Sequence, residues 1–443
     1  MREERNDARS AALRVLRQMD RAAAWADAGL DAELRRSGLA GQEAALAARL
    51  VYGVLQNRAL LDHYLGAYCS QKIDHLQKPL ADILRLGAYQ IVFLDRVPDS
   101  AAVNTSVELC RDCGRGQASG LVNAVLRKVA ANKDNLPPVP EKDAVSYLAT
   151  RYSHPKWLVR RLLSLVGREE AECFLRADNA PAPITVQTNT ILTAPEALRA
   201  SLEAEGVQVT PGLLPGSFQL RGTGNLTKLA AFQAGHFQVQ DDAAALVTEA
   251  MDLRGGEQVL DVCAAPGGKS FRCAMAMGDK GRIVACDLYE NKLRRIEAGA
   301  KRLHLTAIET AALDGRSFRA EWENAFDLVL VDAPCSGLGI IRKKPEIRYK
   351  KADDLFALPV VQTAILENAS RYVKPGGLLL YSTCTILPEE NGQVTDEFLS
   401  NHPDFCRESF ALPLGEVPEG QITLWPQRQG TDGFYICRMR KAT

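Results

Sequence analysis

The sequence predicts an α/β domain built on a mostly parallel, doubly wound sheet, preceded by an all-helical domain and a small α+β linking segment. Three observations predict it. A glycine turn, Pro266-Gly267-Gly268, stands between a strand-like run, Glu257 to Val262, and helix-compatible residues from Ser270 to Met277. Further strand-like runs follow it, each ending in an acid. The first ~135 residues, by contrast, carry helical periodicity and no strand signal.

Composition sets outer limits. With 443 residues the chain is long for one domain, and its 46% apolar content suffices for two or three cores. Its 54 Lys and Arg balance 54 Asp and Glu, so net charge points to no polyanionic partner, and a nucleic-acid surface would have to come from local asymmetry. No apolar run approaches the ~18 residues of a membrane span. The charged start, MREERNDARS, has no apolar core behind it, so a cytoplasmic protein without a signal peptide is expected. Eleven scattered cysteines fit reduced thiols better than a disulfide framework. Cys110 and Cys113 have the spacing of a metal-binding pair but no second pair or nearby histidine, and no metal is expected.

In the N-terminal domain, expected over residues 1–135, Ala8, Ala12, Val15, Leu16 and Met19 share one helical face. Leu80, Ile83, Leu84, Gly87, Ala88 and Ile91 share another. This portion carries a net charge of about +3, and Arg2, Arg5, Arg9, Arg14 and Arg17 crowd the first helix, as on a surface facing phosphates; a solvated helix face reads the same way. The proline-rich stretch Asn135 to Pro140 marks a boundary.

The linking segment, 141–232, opens on a helix from Tyr152 to Val166 that carries Trp157. A strand from Pro183 to Thr190 and turns joining short strands between Gly212 and Gly224 follow. The catalytic portion, 233–443, begins with Gln233 to Asp242 and an alanine-rich helix. His236 reads as structural, because no cysteine or carboxylate stands at a partner's spacing.

The stretch Asp261 to Ser270, DVCAAPGGKS, is then a strand, a turn and a helix. Such a turn has no side chains to keep a ligand away, and it aims backbone N–H groups and a helix N-terminus at the polar group that enters. The run Arg282 to Cys286 ends in Asp287, roughly 20 residues after the glycines, where a carboxylate reaches the ribose hydroxyls of an adenosine. Glu309 to Leu313 ends in Asp314, and Asp327 to Val331 ends in Asp332. Four polar groups thus gather at the carboxyl edge of one parallel sheet, where ligands of open α/β sheets bind.

Two cysteines follow the last strands. Asp332-Ala333-Pro334-Cys335-Ser336-Gly337 closes the fourth strand, and Thr383-Cys384-Thr385 closes the fifth, Gly377 to Ser382. A single buried cysteine is usually packing. Two beside an acid at one sheet edge point to covalent chemistry: C5 of a pyrimidine becomes nucleophilic only after a nucleophile adds to C6, and a thiolate suits that step. A second base must then take the C5 proton, and a carboxyl group stabilises charge developing on the ring.

These residues resemble those of the RNA (cytosine-5)-methyltransferase family, in particular its bacterial 16S rRNA members, over nearly the whole chain. The resemblance implies a Rossmann-like S-adenosylmethionine (SAM)-dependent methyltransferase domain with a mostly parallel seven-stranded sheet. It further implies an all-α NusB-like RNA-binding domain, carried by Pro98 to Leu109 and Leu121 to Arg127, and Gly235 to Ala244 as the family's cofactor-side motif. Cys263, Ala264, Ala265, Pro266, Gly267, Gly268, Lys269, Asp287, Asp314 and Asp332 inherit cofactor contacts. Cys384 inherits attack on C6, Cys335 help with product release, Asp332 contact with cofactor and base, and Lys269 a place near the reacting centre. The implied reaction is methylation of a 16S rRNA cytosine at the position the family calls 967. The expected partner is 16S rRNA, with no membrane or metal and the chain a monomer. Gln187-Thr188-Asn189 departs from the family's Arg-Val-Asn and is assigned no phosphate contact; Thr385 replaces the usual serine and keeps its hydroxyl.

Rival readings are weaker. Gly268-Lys269-Ser270 imitates an NTPase phosphate loop, yet the required first glycine falls at Cys263. A DNA cytosine methyltransferase would attack with Cys335, whereas the Thr-Cys turn and the helical domain favour RNA, with tRNA the alternative substrate. A non-enzymatic RNA-binding assembly factor gives no reason for two thiols and an acid around a cofactor site.

Overall fold

A computed structural model describes residues 6–22 and 26–443. The chain forms two compact units, one comprising residues 1–180 with Ile341–Lys350, the other Pro181–Ile340 with Lys351–Thr443. Among the described residues, no helix is long and apolar enough to cross a membrane.

The first unit is helical: α1 (Ala8–Ala22), α2 (Ala26–Ser37), α3 (Gly41–Gly66), α4 (Lys78–Phe93), α5 (Asp99–Asp112), α6 (Ser119–Ala131), α7 (Ala144–Arg151) and α8 (Lys156–Asn179). The expected apolar faces form its core. Ala8, Ala12, Val15 and Leu16 of α1 and Leu80, Ile83, Leu84, Ala88 and Ile91 of α4 are buried in one cluster, with Met19 packed against it. Gly87 permits the close approach of α4 to α6, since a Cβ there would stand 2.4 Å from Leu126 Cδ1. The helix expected over Tyr152 to Val166 falls largely within α8, which together with α7 lies in this same compact unit. Asp143 caps α7, accepting from Ser146 N at 2.8 Å.

Two of the arginines expected to face phosphates point elsewhere. Arg9 Nε donates to Gln90 Oε1 at 2.7 Å, and Arg14 Nε pairs with buried Glu33 at 2.7 Å. Arg2 and Arg5 lie outside the described residues. The segment Ile341–Lys350 returns to this unit through Arg348, whose buried Nη1 donates to Gln56 O at 2.9 Å and Asn179 Oδ1 at 3.0 Å.

The second unit begins with a four-stranded antiparallel sheet of β1 (Ile184–Thr188), β2 (Gln208–Pro211), β3 (Ser217–Arg221) and β4 (Phe237–Val239), ordered β2-β3-β1-β4. Leu198 and Leu202 of α9 (Pro195–Ala204) join its core. Gln187 and Asn189 are buried and structural: Gln187 Nε2 donates to Asp242 Oδ1 at 2.9 Å, and Asn189 Nδ2 to Leu303 O at 2.8 Å. The short α10 (Ala230–Gln233) and α11 (Asp242–Glu249) follow.

The large sheet comprises β5 (Gln258–Asp261), β6 (Arg282–Asp287), β7 (Ile308–Ala312), β8 (Phe326–Asp332), β9 (Val373–Thr383), β10 (Phe405–Arg407), β13 (Gln421–Leu424) and β14 (Phe434–Lys441). A separate hairpin, β11 (Phe410–Leu412) with β12 (Gly415–Val417), precedes β13. The main path is β10-β14-β9-β8-β5-β6-β7, seven strands as expected, and β13 adds an eighth on β14. The path from β9 to β7 is parallel, while β14 runs antiparallel to β9. Helices α12 (Gly268–Ala276), α13 (Glu290–Arg302), α14 (Leu358–Ser370), α15 (Gly392–Asn401) and the short α16 (Pro426–Gln429) connect the strands. Alternation along β8 serves two cores: Leu328 and Leu330 enter one cluster, Val329 and Val331 the other. The strand order reverses between β5 and β8, and in such sheets the crevice outside the carboxyl ends at the reversal receives the ligand.

Candidate active site

Asp261 and Asp332 end the two strands that flank this reversal. After Asp261 the chain turns through Cys263, Ala264, Ala265 and Pro266 to Gly267, whose φ of +107° favours glycine. A Cβ at Gly267 would also stand 2.5 Å from Phe271 Cζ. Ala264 N donates to Cys286 O at 2.7 Å, tying the turn to β6. Burial pushes the Cys263 thiol far up, and Asp261, Asp332 and Asp287 add to the effect, so this residue stays neutral.

Asp261 is 1% exposed. Its Oδ2 accepts from Ser270 Oγ at 2.6 Å, while the buried Oδ1 has no partner. Burial raises this carboxyl to about 7, against the pull of Ser270 and helped by nearby Asp332. An orphaned buried acceptor beside a glycine turn fits a ligand that brings donors of its own, such as the ammonium and ribose hydroxyls of SAM. Asp287, at the end of β6, is also buried and accepts from Tyr289 N at 3.1 Å, with Lys292 Nζ at 3.3 Å. Asp314, beyond β7, is gripped on both oxygens by Arg316, at 2.9 and 2.7 Å, which holds its carboxyl below the usual range.

Asp332 is fixed from two sides. Lys269 Nζ stands 2.7 Å from Oδ2, and Ser382 Oγ donates to Oδ1 at 2.8 Å. Burial opposes the lysine's charge, but Asp332 outweighs it and the pKa rises, so Lys269 remains an ammonium.

The two cysteines meet because β8 and β9 are parallel neighbours. Cys335 and Cys384 are half-buried free thiols with their sulfurs 3.2 Å apart. The Cys384 sulfur, followed by burial and by the charges of Glu390 and Asp332, pushes the Cys335 thiol far up. A protonated Cys335 thus faces Cys384. Ser336 Oγ and Thr385 Oγ1, 2.7 Å apart, bind the two turns together.

The structure therefore brings together two pairs, Lys269 with Asp332 and Cys335 with Cys384, which act on each other electrostatically, with Asp287 and the glycine turn on the neighbouring strand ends. Sequence reasoning missed Ser270, Ser382 and Glu390. A hydroxyl or acid near a recognised turn was the only signal each offered. His236 contributes its backbone carbonyl to Asn189 N at 2.8 Å, as suits a structural residue.

Known proteins share this arrangement of segments. Residues 248–440 match the model of the 16S rRNA methyltransferase RsmB/F family, residues 6–131 the NusB family, and residues 154–227 the ferredoxin-like domain of RsmF/B-like methyltransferases. The probable ribosomal RNA small subunit methyltransferase B of Bacillus subtilis is 37% identical, with 98% of each chain covered. The ribosomal RNA small subunit methyltransferase B of Erwinia tasmaniensis is 33% identical, over 90% of this chain and 91% of its own. Among solved structures, that of PH0851 superposes with a TM-score of 0.82 at 27% identity, covering 99% of both chains. The chain belongs to the 16S rRNA methyltransferase RsmB/F family and is a methyltransferase whose cofactor is SAM.

Proposed function

We propose that the protein methylates C5 of one cytosine in 16S rRNA, at the position the family calls 967, through a transient bond between Cys384 and C6 of the base. The observation that carries this reading is the pair of sulfurs 3.2 Å apart beside the Lys269–Asp332 ion pair. The relatives' names supply the RNA class.

Bound SAM supplies an electrophilic methyl group. Cys384 adds to C6 as a thiolate, which moves the electron pair of the 5,6 double bond onto C5. Asp332, held by Lys269 and Ser382, is assigned the hydrogen bond to the ring as charge develops on it. After methylation the C5 proton leaves to a base, and the freed pair restores the double bond as Cys384 departs. Cys335 suits that later step once its own proton has passed to solvent, leaving a thiolate to take the C5 proton. The largest influence raising its pKa is the Cys384 sulfur, and that influence lapses once the sulfur is bonded to carbon. The base must be unstacked for its C6 to be reached, so single-stranded or extruded RNA is the substrate. The helical domain and the small linking sheet are assigned to RNA binding, and the chain acts as a monomer in the cytoplasm.

Incubation with purified rRNA and radiolabelled SAM, followed by mapping of the modified base, tests the reading. Label at C5 of a small-subunit cytosine is expected; label confined to tRNA supports the alternative of a tRNA substrate.

A further inference from the structure

Each cysteine of the site is gripped through the residues on both sides of it, and the grips converge on Glu390–Asn391. Around Cys335, Pro334 O accepts from Gln362 Nε2 at 3.0 Å and Ser336 N donates to Glu390 Oε2 at 2.8 Å. The same Gln362 nitrogen donates to Glu390 Oε2 at 2.9 Å. Around Cys384, Thr383 Oγ1 donates to Asn391 Oδ1 at 2.5 Å and Asn391 Nδ2 to Thr385 O at 3.0 Å. Tyr381 donates to the backbone carbonyl of Glu390 at 2.7 Å. Glu390 is 1% exposed, and its Oε1 has no partner, which is costly for a group serving only to hold a turn.

The geometry points to Glu390 as a positioning residue that decides which of the two paired sulfurs carries the negative charge: its carboxylate, hung on the Ser336 amide beside Cys335, disfavours an anion there and leaves the thiolate on Cys384. The inference rests on the reading of Cys384 as the nucleophile and supplies its cause. Two thiols at 3.2 Å share one proton when one of them ionises, so an asymmetric field selects the bearer. The field here is asymmetric. The Glu390 carboxyl hangs 2.8 Å from the amide next to Cys335, and Glu390 and Asp332 act electrostatically on that thiol, whereas Cys384 acts on the Lys269 ammonium. Glu390 is buried, and buried charges are screened least.

Alkylation by iodoacetamide near neutral pH, read residue by residue by mass spectrometry on the full chain without RNA, measures the thiolate at each sulfur. In the wild type, Cys384 should react several-fold faster than Cys335. Glu390→Gln keeps an oxygen for the Ser336 amide but removes the charge, and should move the ratio several-fold toward Cys335. Glu390→Asp retains the charge and should restore the wild-type preference. An unchanged ratio in Glu390→Gln overturns the inference, as does a wild type that alkylates faster at Cys335, a result readable even if the variants fail to fold. Because the labelling needs no RNA, it separates this inference from the proposed reaction: absence of methyl transfer to any RNA would refute the latter and leave the sulfur ratio to be read.

Discussion

Ser382 donates to Asp332 Oδ1 at 2.8 Å across a register pair of β8 and β9, so the acid at the end of one strand is aimed by the next. With Lys269 on its other oxygen, Asp332 has no freedom to turn. Ser382→Ala removes one restraint from a fully buried position and leaves the fold's packing nearly intact. Hydrogen bonds to charged groups are worth ~1.5–3 kcal/mol, so the rate of methyl transfer should fall about ten- to a hundredfold. Single-turnover kinetics at saturating SAM would show it. An unchanged rate would remove Ser382 from the machinery.

The 3.2 Å pair of sulfurs predicts different failures for its two members. Cys384→Ala should lose all methyl transfer while still binding SAM, because only the nucleophile is gone. Cys335→Ala should stall after attack and accumulate an RNA–protein adduct that survives denaturant, visible as a shifted band on a denaturing gel. Full activity in Cys384→Ala, or an adduct in neither protein, refutes the division of labour.

The strands and their terminal acids were legible because a parallel strand buried on both faces must be a nearly continuous apolar run, so its end is conspicuous when an acid follows. Leu328 to Val331 before Asp332 shows this, and Cys335 and Cys384 could be placed on one edge from their strands alone. What stayed hidden depends on residues far apart in sequence. Arg9 reads as a phosphate ligand until Gln90, 81 residues away, takes its Nε. Glu390 follows Cys384 by six positions in an ordinary polar turn, and only the fold reveals that it holds Ser336. No local pattern announces that Arg348, thirteen residues after Cys335, belongs to the helical unit.

That burial of Arg348 has a measurable cost. Its Nη1 serves Gln56 O, Asn179 Oδ1 and, at 3.3 Å, Ser153 O, whereas Nε and Nη2 have no partner. Arg348→Ala would leave those acceptors unsatisfied around a cavity, a loss of about 3 kcal/mol or more. Arg348→Met should cost less, because it fills much of the space and removes the two unpartnered donors with the guanidinium. Urea unfolding of the three proteins should rank wild type above Met above Ala; Ala equal to wild type would contradict the buried geometry.

Asp261 makes the stability of the cofactor-free protein depend on pH in an unusual direction for a carboxyl group. Its folded pKa of about 7 lies above the ordinary 3.8, chiefly through burial. Below pH ~4 both folded and unfolded chains hold the proton and the residue contributes nothing. Between ~4 and ~7 the folded chain keeps a proton that the unfolded chain has lost, so stability falls as pH rises, by about 4 kcal/mol over the window at 1.36 kcal/mol per unit. Above 7 the penalty is constant. Asp261→Asn cannot titrate, so its thermal midpoint should exceed that of the wild type at pH 8, with the gap closing toward pH 4. Donors of SAM that reached the unpartnered Oδ1 would favour the ionised carboxylate, so wild-type affinity should strengthen as pH rises through 7 while the Asn variant binds weakly throughout. Calorimetric titration at pH 6 and pH 8, paired with thermal melts, distinguishes this from simple loss of a contact, which would weaken binding equally at both values and leave the two melting curves parallel in pH.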